Sequence, residues 1–227
     1  MNSAAPASGA TPVAVITGGT GGLGSALASA LSLAGYVVEA PPRSELDVTS
    51  VPGTTAYFTR FPRIDLLILN AGTTADAPFL RLTEADWDRV LETNLAGAAR
   101  CARAVLPGMM TRQTGHIVAI GSSSAWRPPI GQAAYAAAKA GLVALTQCLA
   151  AEGGPSGVRA NCVLPGFLDT PMTRKLSPQA IDAARKDHVL GRCNTPEDTA
   201  RFIAFLDSMV HVSGQVFQLD SRLRRHF

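Results

Sequence analysis

The chain has 227 residues, enough for one large domain, and 47% of them are hydrophobic, so a sizeable core is available. Charged residues make up 16%, the formal net charge is +3 and aromatic residues total 6%. This balance lacks the basic, aromatic-rich face of a nucleic-acid-binding protein. The four cysteines are far apart in the sequence and show no metal-ligand spacing, which predicts free thiols and no metal site.

The first twelve residues are small and polar and include proline. We therefore expect a disordered lead-in over residues 1–12, followed by a single domain over residues 13–227. The start lacks the charged and apolar regions of a secretory signal peptide, and no apolar run reaches the roughly 18 residues of a membrane-spanning helix. With free cysteines, these features predict a cytoplasmic protein that does not bind membranes.

From Val13 onward, short apolar runs alternate with longer helical patterns. Such alternation predicts an α/β fold with a doubly wound parallel sheet and helices on both faces. Capping patterns mark helix starts at Thr83, Ser177 and Thr195. The predicted strands are, in chain order, VAVIT, YVVEA, IDLLILN, HIVAIGS, VRANCVL and GQVFQL.

The connection between YVVEAPPRS and LDVTS is unusually short. Parallel strands are normally joined by a crossover of a dozen or more residues, and this stretch cannot hold a complete helix. We therefore expect two strands there, joined by a short loop.

The first predicted strand runs into TGGTGGLG, residues 17–24, and then into a helical pattern. Glycines let the backbone approach a diphosphate, whose charge is stabilised by free N–H groups at the start of the helix. The location between a strand and a helix predicts dinucleotide binding. Two registers fit: G-x-G-x-x-G on Gly19, Gly21 and Gly24, and T-G-x-x-x-G-x-G with Gly18, Gly22 and Gly24 after Thr17.

Two residues near the end of the second strand favour different dinucleotides. An acidic side chain at this position binds the ribose 2′-hydroxyl of NAD, whereas an arginine accommodates the 2′-phosphate of NADP. Glu39 lies within the predicted strand, and Arg43 lies in the turn that follows it. The position of Arg43 favours NADPH; an ordinary solvated arginine is the alternative.

Further segments complete a pattern: LNAG at 69–72, ETNLAG at 92–97, IGSSSAWRPPIGQAAYAAAK at 120–139, then VLPGFLDTPMTRKLS and SGQVFQL. With TGGTGGLG, these resemble the motifs of the short-chain dehydrogenase/reductase family, in order and spacing, from Val13 to about Leu219. Within the family they are most similar to the 3-oxoacyl-[acyl-carrier-protein] reductases. The resemblance implies a Rossmann-type fold, a nicotinamide cofactor and oxidoreductase activity.

The resemblance also implies a catalytic tetrad of Asn94, Ser122, Tyr135 and Lys139. Tyr135 and Lys139 match the family's Y-x-x-x-K motif, and the family spacing selects Ser122 over Ser123 and Ser124. In the family, the asparagine holds a water molecule and the lysine also binds the nicotinamide ribose.

The tyrosine and lysine have a physical rationale. Reduction of a ketone by hydride needs a proton for the developing alkoxide, and a tyrosine of ordinary pKa near 10 is a reluctant partner at neutral pH. Residues four apart share a helix face, so we expect the ammonium of Lys139 to lower the pKa of Tyr135. Ser122 would bind the substrate oxygen.

The family's cofactor contacts map onto this chain in groups. The resemblance places Tyr135 and Lys139 beside the cofactor as well. It assigns the diphosphate loop to Gly18, Thr20, Gly22, Leu23 and Gly24, the adenine to Asp47 and Val48, the adenine ribose to Asn70, Ala71 and Gly72, and the nicotinamide end to Pro165, Gly166, Leu168 and Thr170.

Other features leave alternatives open. Trp126 either contacts substrate or covers the core, and residues 167–191 resemble the family's substrate lid, where Arg174 and Lys175 either meet an acidic group or are solvated. The small residues of the helix that carries Tyr135 predict a homodimer or homotetramer, because this helix and the one from Leu95 pair across an interface in the family. The ending LDSRLRRHF departs from the family's glycine-containing close.

These observations predict NADPH-dependent reduction of a ketone to a secondary alcohol, with a small-molecule or carrier-bound 3-oxoacyl thioester or polyketide-like substrate. One alternative is an NAD-dependent alcohol dehydrogenase for a free small molecule, which Glu39 supports. Another is a nucleotide-sensing protein that has kept the fold without turnover, against which the complete tetrad speaks.

Overall fold

The computed structural model describes residues 10–170, 173–175 and 177–223. Most of the expected lead-in, part of the expected lid (Pro171, Met172 and Leu176) and the end of the basic tail lie outside these residues. Six parallel strands form one sheet in the order β2-β1-β3-β4-β5-β6, and each corresponds to a strand predicted from the sequence. The strands are β1 (Val13–Ile16), β2 (Val37–Glu39), β3 (Leu66–Leu69), β4 (Gly115–Ile120), β5 (Val158–Leu164) and β6 (Val216–Gln218).

Helices cover both faces of the sheet. Alternate strand residues point to opposite faces, so that Val15 packs on one side and Ala14 and Ile16 on the other. Helices α1 and α7 cover one face, and α2, α4 and α5 cover the other. The helices are α1 (Gly22–Leu33), α2 (Val51–Phe58), α3 (Glu84–Leu91), α4 (Gly97–Arg112), α5 (Ala133–Gly153), α6 (Pro178–Lys186) and α7 (Pro196–Ser208).

The predicted helix starts are confirmed. The Thr83 hydroxyl accepts a hydrogen bond from the backbone N–H of Asp86 at 3.1 Å, which satisfies a free donor in the first turn of α3. Thr195 caps α7 through the N–H of Asp198 in the same way, at 3.0 Å. Helix α6 begins at Pro178, as the preceding Ser177 predicted.

The expected extra strand over LDVTS is wrong. Residues 40–50 form turns instead, and Leu46 and Val48 are buried in the core beside α2 and α4. The side chain of Asp47 accepts hydrogen bonds from the N–H and the hydroxyl of Thr49, at 3.0 and 2.7 Å, which closes a tight turn. Ser50 then caps α2, so a helix starts where a strand was expected.

The strand order fixes where a ligand binds. The chain leaves β1 for β2 on one side, and β3 lies on the other side of β1. Doubly wound sheets bind ligands at such a switch point, in the crevice outside the carboxyl ends of the strands. The turns that follow β1, β3, β4 and β5 all lie at this edge, where the site residues were predicted.

Helix α5 is the long central helix on its face of the sheet. By length and composition, Ala133–Ser156 is apolar enough to cross a membrane, although Lys139 interrupts its apolar run. In this fold Leu142 and Leu149 are buried against the sheet, and Lys139 is buried near the start of the same helix. The apolar composition of α5 therefore serves the core of this domain.

Candidate active site

The glycine-rich turn joins β1 to α1 by very close backbone contacts. Gly18 has a φ of +64°, a conformation that favours glycine, and a Cβ on Gly19 would lie 2.5 Å from the backbone of Ala40. A Cβ on Gly24 would lie 2.5 Å from the carbonyl oxygen of Gly18. Helix α1 starts after Gly21 without a side-chain cap, so its first N–H groups face the crevice uncapped.

A second strand end holds this turn in place. The Thr17 hydroxyl accepts hydrogen bonds from the N–H groups of Asn70 and Ala71, at 2.9 and 3.0 Å. The Asn70 amide donates to the carbonyl oxygens of Thr17 and Gly18, both at 3.0 Å. Asn70 therefore ties the end of β3 to the glycine-rich turn, which is a structural role beside the predicted ribose contact.

Ser122 and Lys139 meet at the end of β4. Ser122 follows this strand by two residues, and the Lys139 ammonium donates to the carbonyl oxygen of Ile120 at 2.7 Å. Burial lowers the pKa of Lys139 to about 8, while the nearby Cys162 has a smaller, opposite influence. The backbone of β4 thus places the lysine beside the serine.

Tyr135 lies one helical turn before Lys139 on α5. The Lys139 ammonium lies 5.6 Å from the centroid of the Tyr135 ring. The pKa direction is opposite to the one expected: burial raises the pKa of Tyr135, and the Asp76 carboxylate adds to this effect. The Ser122 hydroxyl is the group that could oppose this rise, and Lys139 is not among the causes; Ser122 would lower the pKa of Tyr135 only by donating its hydrogen to the phenolic oxygen.

Asn94 completes the group through an irregular piece of helix. A π-helical turn over Glu92–Ala96 separates α3 from α4 and buries Asn94. The Asn94 amide donates to the carbonyl oxygens of Val90 and Thr73, both at 2.8 Å, whereas its buried Oδ1 has no hydrogen-bond partner among the described residues. A Cβ on Gly72 would lie 2.8 Å from this oxygen and 3.8 Å from the Lys139 ammonium.

These contacts bring the four predicted catalytic residues to one edge of the sheet, next to the glycine-rich turn. A family model described as Enoyl-(Acyl carrier protein) reductase matches residues 19–221. The chain is 40% identical over 166 residues to the 3-oxoacyl-[acyl-carrier-protein] reductase of Thermotoga maritima, covering 72% of this chain and 68% of that protein. It is 36% identical over 226 residues to the acetoacetyl-CoA reductase of Synechocystis, covering 92% and 94%.

The solved structures agree with these relatives. The crystal structure of gox2181 superposes with a TM-score of 0.87 at 30% identity, covering 93% of this chain and 95% of that one. The chain belongs to the short-chain dehydrogenase/reductase family. It is an NAD(P)-dependent oxidoreductase with a Rossmann-type fold.

The residues of this short-chain dehydrogenase/reductase fit its nicotinamide dinucleotide. The uncapped start of α1 offers N–H groups and the positive end of a helix dipole to a diphosphate. The unpartnered Asn94 Oδ1 is an acceptor for a water molecule or a hydroxyl, and it lies with Lys139 around Gly72. The predicted contacts with the diphosphate and with the nicotinamide ribose stay predictions that these groups can satisfy.

The position of β2 changes the argument about the adenine ribose. Glu39 is the last residue of β2, so the expectation that it lies before the strand end is wrong. Arg43 is exposed, and its Nε and Nη2 contact the Asp47 carboxylate at 3.2 and 3.1 Å. The hydrogen bonds from Thr49, followed by those from Arg43, lower the pKa of Asp47.

The turn after β5 contains the residues predicted at the nicotinamide end. Gly166 has a φ of +85°, and the amide of Asn194 donates to the carbonyl oxygen of Pro165 at 3.0 Å. Leu168 is buried and pairs with Asn194 in an isolated bridge, and the N–H of Thr170 donates to the hydroxyl of Thr173. This segment is thus held to the start of α7.

The lid region is only partly described. Arg174 forms an exposed ion pair with Asp169 at 2.8 Å, which agrees with the solvated alternative for this residue. The side chain of Lys175 lies outside the described part of the chain. Trp126 is 38% exposed on the segment after Ser122.

The unusual C-terminal segment contacts the loop that follows Ser122 and the turn after β5. The guanidinium of Arg222 donates to the Ser123 hydroxyl at 2.8 Å and pairs with the buried carboxylate of Asp220. Asp220 packs against Gly166, where a Cβ would lie 2.8 Å from its Oδ2. His188, near the end of the lid, directs an unpartnered Nε2 toward the same oxygen, at 3.9 Å.

Several of these residues were missed by sequence reasoning. Thr17 precedes the glycine cluster, but the pattern gave it no role. Asp220 and Arg222 belong to the C-terminal sequence that differs from the family's, and no role was predicted for either residue. Gln132 and Ser124 lie inside the quoted motif, yet their contacts depend on Asp76, which is 48 residues or more away in sequence.

Proposed function

We propose that this short-chain dehydrogenase/reductase uses NADPH to reduce the ketone of a 3-oxoacyl thioester to a secondary alcohol. The observation that carries the proposal is the convergence of the Ser122 and Tyr135 hydroxyls beside the buried ammonium of Lys139. Two hydroxyl groups at one point suit a carbonyl oxygen, which gains negative charge and then a proton during reduction.

When bound, the reduced nicotinamide supplies a hydride to the carbonyl carbon. The Ser122 hydroxyl positions the carbonyl oxygen and stabilises its developing charge. Tyr135 donates its phenolic proton to that oxygen, so one O–H bond breaks and another forms. The raised pKa of Tyr135 keeps the phenol protonated, which is the state that reduction requires.

Lys139 and Asn94 support this proton transfer. A pKa of about 8 leaves Lys139 mostly cationic at neutral pH, and the charge stabilises the tyrosinate that remains after the proton is donated. Asn94 offers its free Oδ1 to a water molecule through which the tyrosine regains a proton. Lys139 would also hold the ribose next to the nicotinamide.

The substrate class rests on the relatives. Their names describe a 3-oxoacyl-[acyl-carrier-protein] reductase and an acetoacetyl-CoA reductase, and both substrates are 3-oxoacyl thioesters. The family model, by contrast, carries the description of an enoyl reductase, whose substrate has a carbon–carbon double bond. A pair of hydroxyls that donate hydrogen bonds to oxygen favours the ketone.

Two residues near the end of β2 favour different cofactors, and one of them supports a second candidate function. Arg43 supports NADPH because its guanidinium lies after β2, where a 2′-phosphate would bind. Glu39, at the end of β2, supports an NAD-dependent alcohol dehydrogenase. The guanidinium of Arg43 already forms an ion pair with the Asp47 carboxylate, with which a 2′-phosphate would have to compete. The ratio of kcat/KM for NADPH and NADH decides between them.

The test follows NADPH loss with four substrates: acetoacetyl-CoA, a carrier-bound 3-oxoacyl thioester, a free ketone and an enoyl thioester. We expect the largest kcat/KM with one of the 3-oxoacyl thioesters and a smaller value with NADH. Preferential reduction of the enoyl thioester would contradict the proposal. Cofactor binding without turnover of any ketone would favour the nucleotide-sensing alternative.

We also propose a cytoplasmic homo-oligomer. All four cysteines are unpaired, as in reduced compartments. Helix α5 exposes the small residues Ala137, Ala140 and Ala144 at helical spacing, so a second helix could pack closely on this face. Light scattering should give a dimer or tetramer, and Ala144→Glu should yield monomers; a monomeric wild-type protein would exclude the assembly.

A further inference from the structure

A chain of hydrogen bonds leads from the loop after β3 to the catalytic serine. The Gln132 amide nitrogen donates to the Asp76 carboxylate at 3.0 Å, and its Oε1 accepts from the Ser124 hydroxyl at 3.0 Å. The Ser124 and Ser122 hydroxyls are 3.2 Å apart, and the N–H of Ser124 donates to Ser122 at 3.1 Å. Ser124 is buried, so its hydroxyl depends on these partners.

The direction of donation along these hydrogen bonds follows from the groups at the two ends of the series. A carboxylate only accepts hydrogen bonds, so the amide nitrogen of Gln132 must face Asp76 and its oxygen must face Ser124. Each serine carries a single hydroxyl hydrogen, and that of Ser124 is used by Gln132. In the resting site, the hydrogen of Ser122 is therefore donated to Ser124.

This direction has a consequence for Tyr135. With its hydrogen turned toward Ser124, Ser122 presents lone pairs to Tyr135 and accepts the phenolic hydrogen. A tyrosinate oxygen would be repelled by the same lone pairs. This arrangement of hydrogen bonds therefore disfavours ionisation of Tyr135 before substrate binds. A carbonyl oxygen that enters the site must compete with Ser124 for the Ser122 hydrogen.

We propose that Ser124 and Gln132 are positioning residues that orient the Ser122 hydroxyl from Asp76 and thereby keep Tyr135 protonated until substrate binds. The role in turnover rests on the proposed carbonyl reduction; the effect on Tyr135 does not. The charged groups around the pair are the Lys139 ammonium, the Asp76 carboxylate and, beyond Ser123, Arg222.

Ionisation of Tyr135 can be measured without substrate or cofactor. The chain has three tyrosines, so the ¹³Cζ signal of labelled Tyr135 is assigned by its absence in Tyr135→Phe. Ser124→Ala frees the Ser122 hydrogen for Tyr135, and we expect the Tyr135 titration to move to lower pH by about one unit, the size of one hydrogen bond. Gln132→Leu should move it in the same direction.

Ser29→Ala is the matched control, because its exposed hydroxyl donates to the carbonyl oxygen of Ser25 within α1 and takes no part in the hydrogen bonds that lead to Ser122; it should leave the titration unchanged. An unchanged titration in folded Ser124→Ala and Gln132→Leu would overturn the proposal. If the protein also reduces the 3-oxoacyl thioester, the alkaline limb of kcat should move in parallel with the titration. Absence of reduction with a shifted titration would refute the proposed function alone.

Discussion

Two buried polar clusters lie at opposite ends of the parallel sheet, and they differ in how completely their groups are paired. At the amino-terminal end, the imidazole of His116 on β4 contacts Asp207 of α7 at 2.7 Å and the amide of Asn161 at 3.0 Å. Arg159 donates to the Asp207 carbonyl oxygen at 2.7 Å, and the Tyr36 hydroxyl donates to its carboxylate. Both ring nitrogens of His116 have partners.

The cluster at the carboxyl-terminal end is incompletely paired by contrast. Lys139 is buried with one backbone acceptor, Asn94 keeps an unpartnered oxygen, and His188 keeps an unpartnered nitrogen. Buried groups without partners cost free energy, and two more of them, Tyr57 OH and Arg112 Nε, lie outside both clusters. The difference leads us to expect that substitutions in the fully paired cluster reduce stability, whereas substitutions in the other cluster reduce turnover.

The largest expected effect separates these roles at the catalytic end. Lys139→Met removes a buried charge, and replacement of such a charge by an apolar side chain is often neutral or stabilising. We expect turnover to fall by about 10²–10⁴-fold, since the tyrosinate loses its cation, with no loss of stability. Steady-state rates and denaturant unfolding on the same sample test this; a large loss of stability would contradict the comparison.

The opposite substitution is Asp207→Ala at the amino-terminal end. It leaves the Arg159 and His116 side chains buried without their carboxylate, and we expect the free energy of unfolding to fall by about 3–5 kcal/mol. Turnover per folded molecule should stay near the wild-type value. Asp198→Ala, on the exposed face of the same helix, is the control and should leave the free energy of unfolding nearly unchanged.

A smaller effect is expected for the contact between the C-terminal segment and the serine loop. Arg222 and Ser123 are joined by one charge-assisted hydrogen bond. A double-mutant cycle of Arg222→Ala and Ser123→Ala on kcat/KM should give a coupling of about 1–2 kcal/mol, because each substitution removes the same bond. Additive effects would show that the segment does not position the serine loop.

The smallest effect is a pH dependence of stability at the amino-terminal end. Burial lowers the pKa of His116 below its unfolded value of 6.5, although Asp207 opposes this. The unfolded chain therefore binds more protons below this pH, and stability should decrease as the pH falls below about 6.5, by at most about 1.4 kcal/mol per unit. His116→Gln should flatten this slope, and an unchanged slope would contradict the assignment to His116.

The sequence predicted the strands well because each is a short, largely apolar run bounded by turn residues, and β1, β3, β4 and β5 are almost entirely buried. It failed at LDVTS, where the alternation of Leu46 and Val48 resembles a strand although Asp47 closes a turn on Thr49. The packing of Leu46 and Val48 against α4 determines the conformation of this segment, and no local sequence pattern reveals that packing.

The tetrad stays a prediction from the family resemblance; the structure places Ser122 after β4, Tyr135 and Lys139 on α5, and Asn94 on a π-helical turn. The electrostatics could not be predicted: burial of Tyr135 reversed the expected direction of its pKa, since the four-residue spacing gives proximity to Lys139 but not solvent access. The chain through Ser124 and Gln132 also needed the fold, because Asp76 comes from a different loop.

The most direct test of the account is the turnover of Tyr135→Phe compared with wild type, together with its dissociation constant for NADPH. The account predicts that NADPH binding is nearly unchanged and that reduction of the 3-oxoacyl thioester falls by about 10²–10⁴-fold, because the phenolic proton is gone while the glycine-rich turn is intact. Undiminished turnover in Tyr135→Phe would contradict the assignment of the proton donor.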